Sequence, residues 1–187
     1  MNDIKAETGA RPGRNVRRIV RYTVAIAASV LLIFVLIEGY NFYTLTPNKL
    51  YAENYTAYEL TAGRDGYDSA SVIANAYRDK KYAEVISLNA RSVLSIKDIF
   101  LTGMAYLETK DYSRAISSFQ VVITDVKDKK TTLKDPAEYY LALAYLQNHD
   151  YDQAIEIMNA IHDSPAHLYK AKFSRKYINR VKRLKWR

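Results

Sequence analysis

The fold is decided by two stretches of this 187-residue chain: residues 103–119, GMAYLETKDYSRAISSF, and residues 142–158, ALAYLQNHDYDQAIEIM. Seven of their seventeen positions are identical at an offset of 39 residues. Around the first stretch, apolar or small residues recur at helical spacing in two groups, separated by a short polar turn: Ile96, Ile99, Phe100, Gly103, Tyr106 and Leu107, then Tyr112, Ala115, Ile116, Phe119, Val122 and Ile123. Each stretch therefore predicts two helices joined by a turn, and their similarity predicts a repeat array.

A third and looser copy precedes these two, and further helices follow them. The looser copy is NAYRDKKYAEVI, residues 75–86, for which the alignment predicts a turn one residue shorter than in the other copies. An aspartate before a proline, Asp135-Pro136, and a serine before a proline, Ser164-Pro165, predict the starts of two later helices, because each pair places a capping residue before a proline.

This pattern resembles the tetratricopeptide repeat (TPR), in which a small residue and tyrosines occupy fixed places in a helix pair. The positions that match are Gly103, Tyr106, Tyr112, Ala115 and Phe119 in one copy, and Leu141, Ala142, Tyr145, Tyr151, Ala154 and Met158, followed by Pro165, in the next. The likeness covers residues 68–166, divided into repeats at about 68–94, 96–127 and 135–163. The first copy departs from the pattern at Val85 and Asn89, and the polar stretch 124–134 lengthens the second. An unrelated bundle of helical hairpins is the alternative.

Two good copies and one poor copy are fewer than a stable stack of repeats usually needs. Packing against the aromatic residues Tyr51, Tyr55 and Tyr58, which lie in a linker predicted at residues 44–67, would supply the missing stability. Self-association into a homo-oligomer is the other source, and the sequence does not choose between them.

An uncharged apolar run, YTVAIAASVLLIFVLI, occupies residues 22–37 and predicts a transmembrane helix over residues 19–43. Residues 1–18 are basic, and acidic residues follow the run, so the positive-inside rule places the N-terminus in the cytoplasm and the repeats across the membrane. A buried core helix and a cleaved signal peptide are the alternatives. The absence of a small-x-small cleavage site favours an uncleaved signal anchor.

An anchor joined to a short repeat array resembles the single-pass repeat proteins of Gram-negative bacteria, particularly those of the Bacteroidetes type, as does LYAENYTAYEL at residues 50–60. The resemblance implies a bacterial inner-membrane protein whose C-terminal domain is periplasmic.

No catalytic or metal-binding pattern is present in the sequence. The chain has no cysteine and three histidines, and it lacks the spacings of zinc, nucleophile and phosphate-loop motifs. His162 and His167 flank a proline, but no further histidine or cysteine completes a metal site. We therefore expect neither an enzyme nor a cofactor or metal.

The TPR resemblance implies a groove, lined by the first helix of each repeat, that binds a protein or peptide partner. Carried over by position, the partner groove comprises Asn75, Arg78, Lys97, Phe100, Met104, Glu108, Tyr139, Leu143 and Gln147. Exposed apolar side chains beside scattered charges would suit an apolar or amphipathic partner segment. The alternative is that the apolar members pack on the next helix.

The C-terminal segment, residues 167–187, predicts a basic amphipathic helix with one apolar stripe at Phe173, Tyr177, Val181 and Leu184. Such a helix caps the last repeat. It can also contact anionic lipid, through Lys172, Arg175, Lys176, Arg180, Lys182, Arg183, Lys185 and Trp186. Nucleic acid is not an expected partner, because the segment carries no recognition motif.

These predictions combine into an all-α protein: an N-terminal transmembrane helix, a short TPR-like solenoid of helical hairpins and a basic C-terminal capping helix. The predicted function is that of a non-catalytic, membrane-tethered scaffold whose TPR groove binds proteins in the periplasm. One alternative is an accessory subunit of an inner-membrane translocation, envelope-assembly or division complex. Another, with the topology reversed, is a cytoplasmic protein whose basic tail binds lipid or nucleic acid.

Overall fold

The computed structural model describes residues 14–60, 71–89, 94–125 and 132–186, and the regular secondary structure of these residues is helical, with no β-strand among them. The chain divides into two compact units, Met1–Thr44 and Leu45–Arg187. The predicted basic N-terminus lies mostly outside the described residues, as do parts of the first repeat and of the polar stretch 124–134.

In the part of the first unit that the structure describes, one helix is present, α1, which runs from Arg14 to Tyr43. Its 23-residue stretch Arg18–Tyr40 is long and apolar enough to cross a membrane. Every large apolar side chain from Ile19 to Ile37 is at least 52% exposed, and Tyr40 is 70% exposed. Among the described residues of this unit, none covers the apolar surface of α1.

The second unit is a stack of helical hairpins in which consecutive hairpins pack against one another. Its helices are α2 Pro47–Asn54, α3 Val72–Arg78, α4 Tyr82–Asn89, α5 Ile96–Glu108, α6 Tyr112–Thr124, α7 Lys134–Gln147, α8 Tyr151–Asp163 and α9 Arg175–Leu184, with a 3-10 turn at Lys170–Lys172. The three predicted repeats correspond to the pairs α3–α4, α5–α6 and α7–α8. The first helix of a hairpin is the more buried one, and Phe100–Leu107 of α5 is buried at every position.

The turns inside the three hairpins share one backbone conformation. Each contains one non-glycine residue in the left-handed region, Lys80, Lys110 or His149, with φ of 58°, 64° and 65°. In each turn the amide of the next residue donates to a carbonyl five positions back, at 2.9, 2.8 and 2.9 Å. This is how a helix that ends in a left-handed residue satisfies its last carbonyl groups.

This common turn corrects the predicted register of the first copy. Because Lys80 occupies the place of Lys110, the residue equivalent to Tyr106 is Ala76, and Tyr77 corresponds to Leu107. The prediction of a turn one residue shorter in the first copy was therefore wrong.

A close approach of two helices explains the glycine in the second repeat. A Cβ atom placed on Gly103 would lie 2.9 Å from Cε1 and 3.1 Å from Cδ1 of Phe119, whose side chain is completely buried. At the equivalent positions of the next repeat, an alanine, Ala142, accompanies the slimmer Met158. These two repeats thus combine a small residue on the first helix with a partner of matching bulk on the second.

Both predicted proline-led helix starts need correction. Helix α7 begins one residue before Asp135 and has no side-chain cap, and the Asp135 carboxylate instead accepts a hydrogen bond from the Leu168 amide at 2.9 Å. No α-helix begins at Ser164. The chain makes turns there, and α9 begins later, capped by Ser174, whose hydroxyl accepts from the Tyr177 amide at 3.2 Å.

Helix α9 closes the end of the stack. It packs against α8 and α2, and its apolar side, Tyr177, Ile178, Val181 and Leu184, is buried together with Phe173 just before it. The apolar stripe predicted from the sequence is thus the surface by which α9 covers the last hairpin.

Candidate partner-binding groove

The nine residues predicted to line the groove fall into two groups. Asn75 and Arg78 are exposed and are hydrogen-bonded to each other at 2.9 Å, and Lys97 and Glu108 are half-buried. The remaining five are buried, four of them completely: Phe100, Met104, Tyr139 and Leu143, followed by Gln147 at 7% exposure. The expectation that the apolar members are exposed was therefore wrong.

The groove is occupied by a segment of the same chain. Residues 45–60, which we call the docked segment, were predicted as part of a linker, but they form α2 and an extended stretch after it. The Thr46 hydroxyl caps α2 by accepting from the Lys49 amide at 3.2 Å, and Pro47 occupies the first turn. The docked segment contacts helices that follow it by 19 to 127 residues in the chain.

The floor of the groove binds the docked segment through its backbone. Four tyrosine hydroxyls each donate a hydrogen bond to a carbonyl oxygen of the segment: Tyr177 to Leu50 at 2.8 Å, Tyr139 to Asn54, Tyr140 to Thr56 at 2.8 Å, and Tyr77 to Tyr58 at 3.2 Å. The Gln147 amide donates to the Pro47 carbonyl oxygen at 3.4 Å. These donors come from α3, α7 and α9, so the segment ties together both ends of the stack.

Apolar and aromatic contacts complete the docking. Leu50 is completely buried and Leu45 is 4% exposed. The ring of Tyr58 lies edge-on to Phe100, with centroids 4.8 Å apart, and Tyr55 stacks on Tyr51 at the same distance. Edge-on and offset-stacked rings are favoured arrangements of aromatic pairs.

Charged side chains hold the outer edge of the docked segment. The Arg180 guanidinium donates two hydrogen bonds to the Glu53 carboxylate, one of them at 2.7 Å. These bonds hold the pKa of Glu53 below its ordinary value. On the same side, Asn54 donates to the Lys172 carbonyl oxygen at 2.7 Å, and the Lys172 ammonium group donates to the Thr56 hydroxyl at 3.1 Å.

Comparison with known proteins identifies two of the three hairpins. Residues 99–128 and 137–164 match the family model of the tetratricopeptide repeat. These two stretches cover α6 and α8 and most of α5 and α7; the looser hairpin α3–α4 lies outside the match. No curated protein and no solved structure matches the chain significantly.

Tetratricopeptide repeats are typically non-catalytic and bind other proteins. The hydroxyls that contact the docked segment fit this role better than a chemical one, because burial raises the pKa of Tyr77, Tyr140 and Tyr177 and keeps them protonated. Burial also raises the pKa of Tyr139, to about 12. At neutral pH these groups serve as hydrogen-bond donors to a polypeptide backbone.

One cluster of metal-ligating residue types is present in the described part of the chain: Asp135, Glu138 and His167, with one ligand atom of each within 4.8 Å of the others. Its hydrogen bonds oppose metal binding. The Tyr169 amide donates to Nδ1 of His167 at 3.1 Å, so the proton of the neutral ring sits on Nε2, which faces Glu138 at 3.2 Å. The cluster holds the chain after α8 against the start of α7. His162, the other histidine considered in the sequence, is not part of this cluster.

At least four of the eight residues predicted to contact lipid have a polar partner within the protein. Arg175 pairs with Asp163 at 2.6 Å, Lys185 pairs with Asp152, and Arg180 and Lys172 hold the docked segment. The other four, Lys176, Lys182, Arg183 and Trp186, are exposed, Trp186 at 82%. Lipid contact stays a prediction, and fewer of the eight side chains are available for it than the sequence indicates.

The sequence analysis missed the docked segment as an element of the groove, although signals for it exist. A threonine before a proline, Thr46-Pro47, is typical of a helix start, and Leu50 lies one turn further on. The sequence left open whether packing of Tyr51, Tyr55 and Tyr58 or self-association stabilises the repeats. In the structure, all three tyrosines pack against the core of the helical stack.

Proposed function

We propose that this protein is a non-catalytic, membrane-tethered scaffold that presents tetratricopeptide repeats to a protein partner on the periplasmic side of a bacterial inner membrane. The observation that carries the proposal is the contrast between its two units. One is a 30-residue helix with its apolar surface uncovered, and the other is a folded repeat stack with its own core.

The energetics support a membrane for the first unit. About ten large apolar residues contribute roughly 0.3 to 0.6 kcal/mol each to insertion, which totals about 3 to 6 kcal/mol. In water the same residues would form an apolar patch far larger than monomeric proteins usually expose. The arginines before the span and the acidic residues after it favour an N-terminus in the cytoplasm.

Membrane tethering is tested by extracting vesicles that contain the full-length chain with alkaline carbonate. We expect the wild-type chain to stay in the membrane pellet. Leu32→Arg, at the middle of the apolar stretch, should move a large fraction to the supernatant, because arginine there costs about 3 kcal/mol. Leu168→Arg, at a site 70% exposed in the repeat unit, is the matched control and should stay in the pellet. Release of the wild-type chain would contradict the tether.

The side of the membrane is tested by fusing reporters to the C-terminus. Alkaline phosphatase, which is active only after export, should be active in the fusion, and green fluorescent protein exported by the same route should be dark. The reverse result would place the repeats in the cytoplasm and would favour the alternative in which the basic tail acts there.

A further inference from the structure

Much of the recognition of the docked segment uses its backbone rather than its side chains. Four of its carbonyl oxygens accept from tyrosine hydroxyls, and any polypeptide in the same conformation offers these acceptors. Several side chains of the segment, including Ala52, Ala57 and Glu59, are exposed to solvent. The groove therefore recognises a backbone shape and a few anchors.

Side chains add specificity to these backbone contacts: Tyr55 donates to the Glu108 carboxylate, Asn54 donates to the Lys172 carbonyl oxygen, and three further residues serve as anchors. Leu50 fills a completely buried position, Glu53 pairs with Arg180, and Tyr58 packs against Phe100. In sequence they form an aliphatic residue, an acid three residues later and an aromatic residue five residues after that, first on a short helix and then on an extended stretch. Docking of a helix into a groove and docking of an extended peptide are both known modes of recognition.

We propose that the docked segment is an intramolecular ligand, and that the partner of the repeats is an acidic, aromatic polypeptide segment of the same pattern that takes its place. This proposal rests on the proposed function and names the chemistry of the partner. An empty groove is disfavoured, because opening it exposes Leu50 and the ring of Phe100 to water. The groove is therefore filled either by the chain's own segment or by a partner, and the two compete.

The tether sets the strength of this competition. A covalently linked ligand acts at an effective concentration in the millimolar range, which a free peptide must match before it can displace the ligand. If the chain is cut between the docked segment and the repeats, that advantage is lost. The same peptide should then compete at a much lower concentration.

The experiment uses the full-length chain in detergent, with an affinity tag at its N-terminus and a protease recognition sequence inserted within residues 61–70. After cleavage on the affinity resin, the repeats are retained only by the contacts of the groove. The probe is a synthetic peptide of residues 45–60, LTPNKLYAENYTAYEL. Release of the repeat fragment is measured against peptide concentration. The matched control peptide carries Leu50→Asp.

We expect the repeats to stay on the resin after cleavage, and the wild-type peptide to release them. The control peptide should need at least a ten-fold higher concentration. In the uncleaved chain, a fluorescent version of the wild-type peptide should bind at least ten-fold more weakly than it competes in the cleaved chain, because the tethered segment holds the groove.

Four results would overturn the proposal. If the repeats leave the resin on cleavage alone, the segment is not a ligand. If millimolar peptide releases nothing, the segment is a permanent part of the fold. If both peptides act equally, the anchors confer no specificity. If the uncleaved chain forms dimers that have exchanged their segments, the occupant is a second copy. Since the experiment runs in detergent, its outcome is separate from that of the test of membrane tethering.

Discussion

Replacing Leu50 with alanine tests whether the docked segment belongs to the folded core. Leu50 lies on α2 and is completely buried. Truncating a fully buried leucine removes its transfer free energy and leaves a cavity, which together cost about 2 to 5 kcal/mol. A leucine in a linker would lose almost nothing. The two interpretations of residues 45–60 thus predict different free energies of unfolding for one substitution.

The expected shift is large enough to measure. For a domain of this size, a loss of 1 kcal/mol lowers the melting temperature by about 3 °C, so Leu50→Ala should lower it by about 6 to 15 °C. The assay is thermal unfolding of the full-length chain in detergent, followed by near-ultraviolet circular dichroism of the buried tyrosines. Leu168→Ala, at a site 70% exposed, is the matched control and should change stability by less than about 0.5 kcal/mol. Equal melting temperatures for Leu50→Ala and the control would refute the docking of the segment.

Individual contacts give three further predictions. Gly103→Ala should destabilise the stack by about 1 kcal/mol, because crowding of Phe119 outweighs the gain in helix propensity. In a double-mutant cycle, adding Phe119→Met should recover at least about 0.5 kcal/mol of that loss. Strictly additive effects of the two substitutions would contradict the close approach of the two helices. The pKa of Tyr139 is raised to about 12, above the value near 10 of an unfolded tyrosine, so the free energy of unfolding should fall as pH rises from about 10 to 12. Tyr139→Phe should make that fall less steep in alkaline unfolding curves. An unchanged slope would mean that Tyr139 is not buried. The pKa of Glu53 is lower in the folded chain than its unfolded value near 4.3, so its ion pair stabilises the fold above that value and less as pH falls through the folded pKa. Glu53→Gln should therefore weaken denaturant resistance at pH 7 and progressively less as the pH is lowered into the acid range. A loss that does not change with pH would refute the ion pair.

The helical hairpins could be predicted from the sequence because their signals are local. Apolar residues at helical spacing and a turn between them lie within about thirty residues, and the match to the repeat family covers the same two hairpins. The left-handed turn residues Lys80, Lys110 and His149 carried no such signal, since none of them is a glycine. The shift of one residue in the first copy went unseen for that reason.

The groove could be predicted only in part, because its occupant comes from a distant part of the chain. Carrying positions over from the repeat pattern located Phe100, Tyr139 and Gln147 on the surface that contacts the docked segment. It did not reveal that this surface is covered, since α2 has only eight residues and its contacts lie up to 127 residues away. A helix that short is marginal in isolation and owes its stability to packing.

For the C-terminal segment, the sequence predicted the buried apolar stripe but not the ion pairs of its basic residues. The apolar stripe of α9 follows from spacing, and the structure buries it as a cap. The partners of Arg175, Arg180 and Lys185 are acidic residues on α8 and α2, or at their ends, and only the folded chain brings them together. Counting cations in sequence therefore overstates the charge that remains for a lipid surface.

The most direct test of the central claim, that the chain's own segment fills the groove, is the rate of thiol labelling at position 50. The chain has no cysteine, so Leu50→Cys and Ala57→Cys each introduce a single thiol, one at a completely buried site and one at an exposed site of the same segment. A maleimide reagent added to the full-length chain in detergent should label the Leu50→Cys variant at least about 100-fold more slowly than the Ala57→Cys variant, because labelling of the buried thiol must wait for local opening. Both variants should react at the same rate in denaturant. Equal rates in the folded protein would contradict the account.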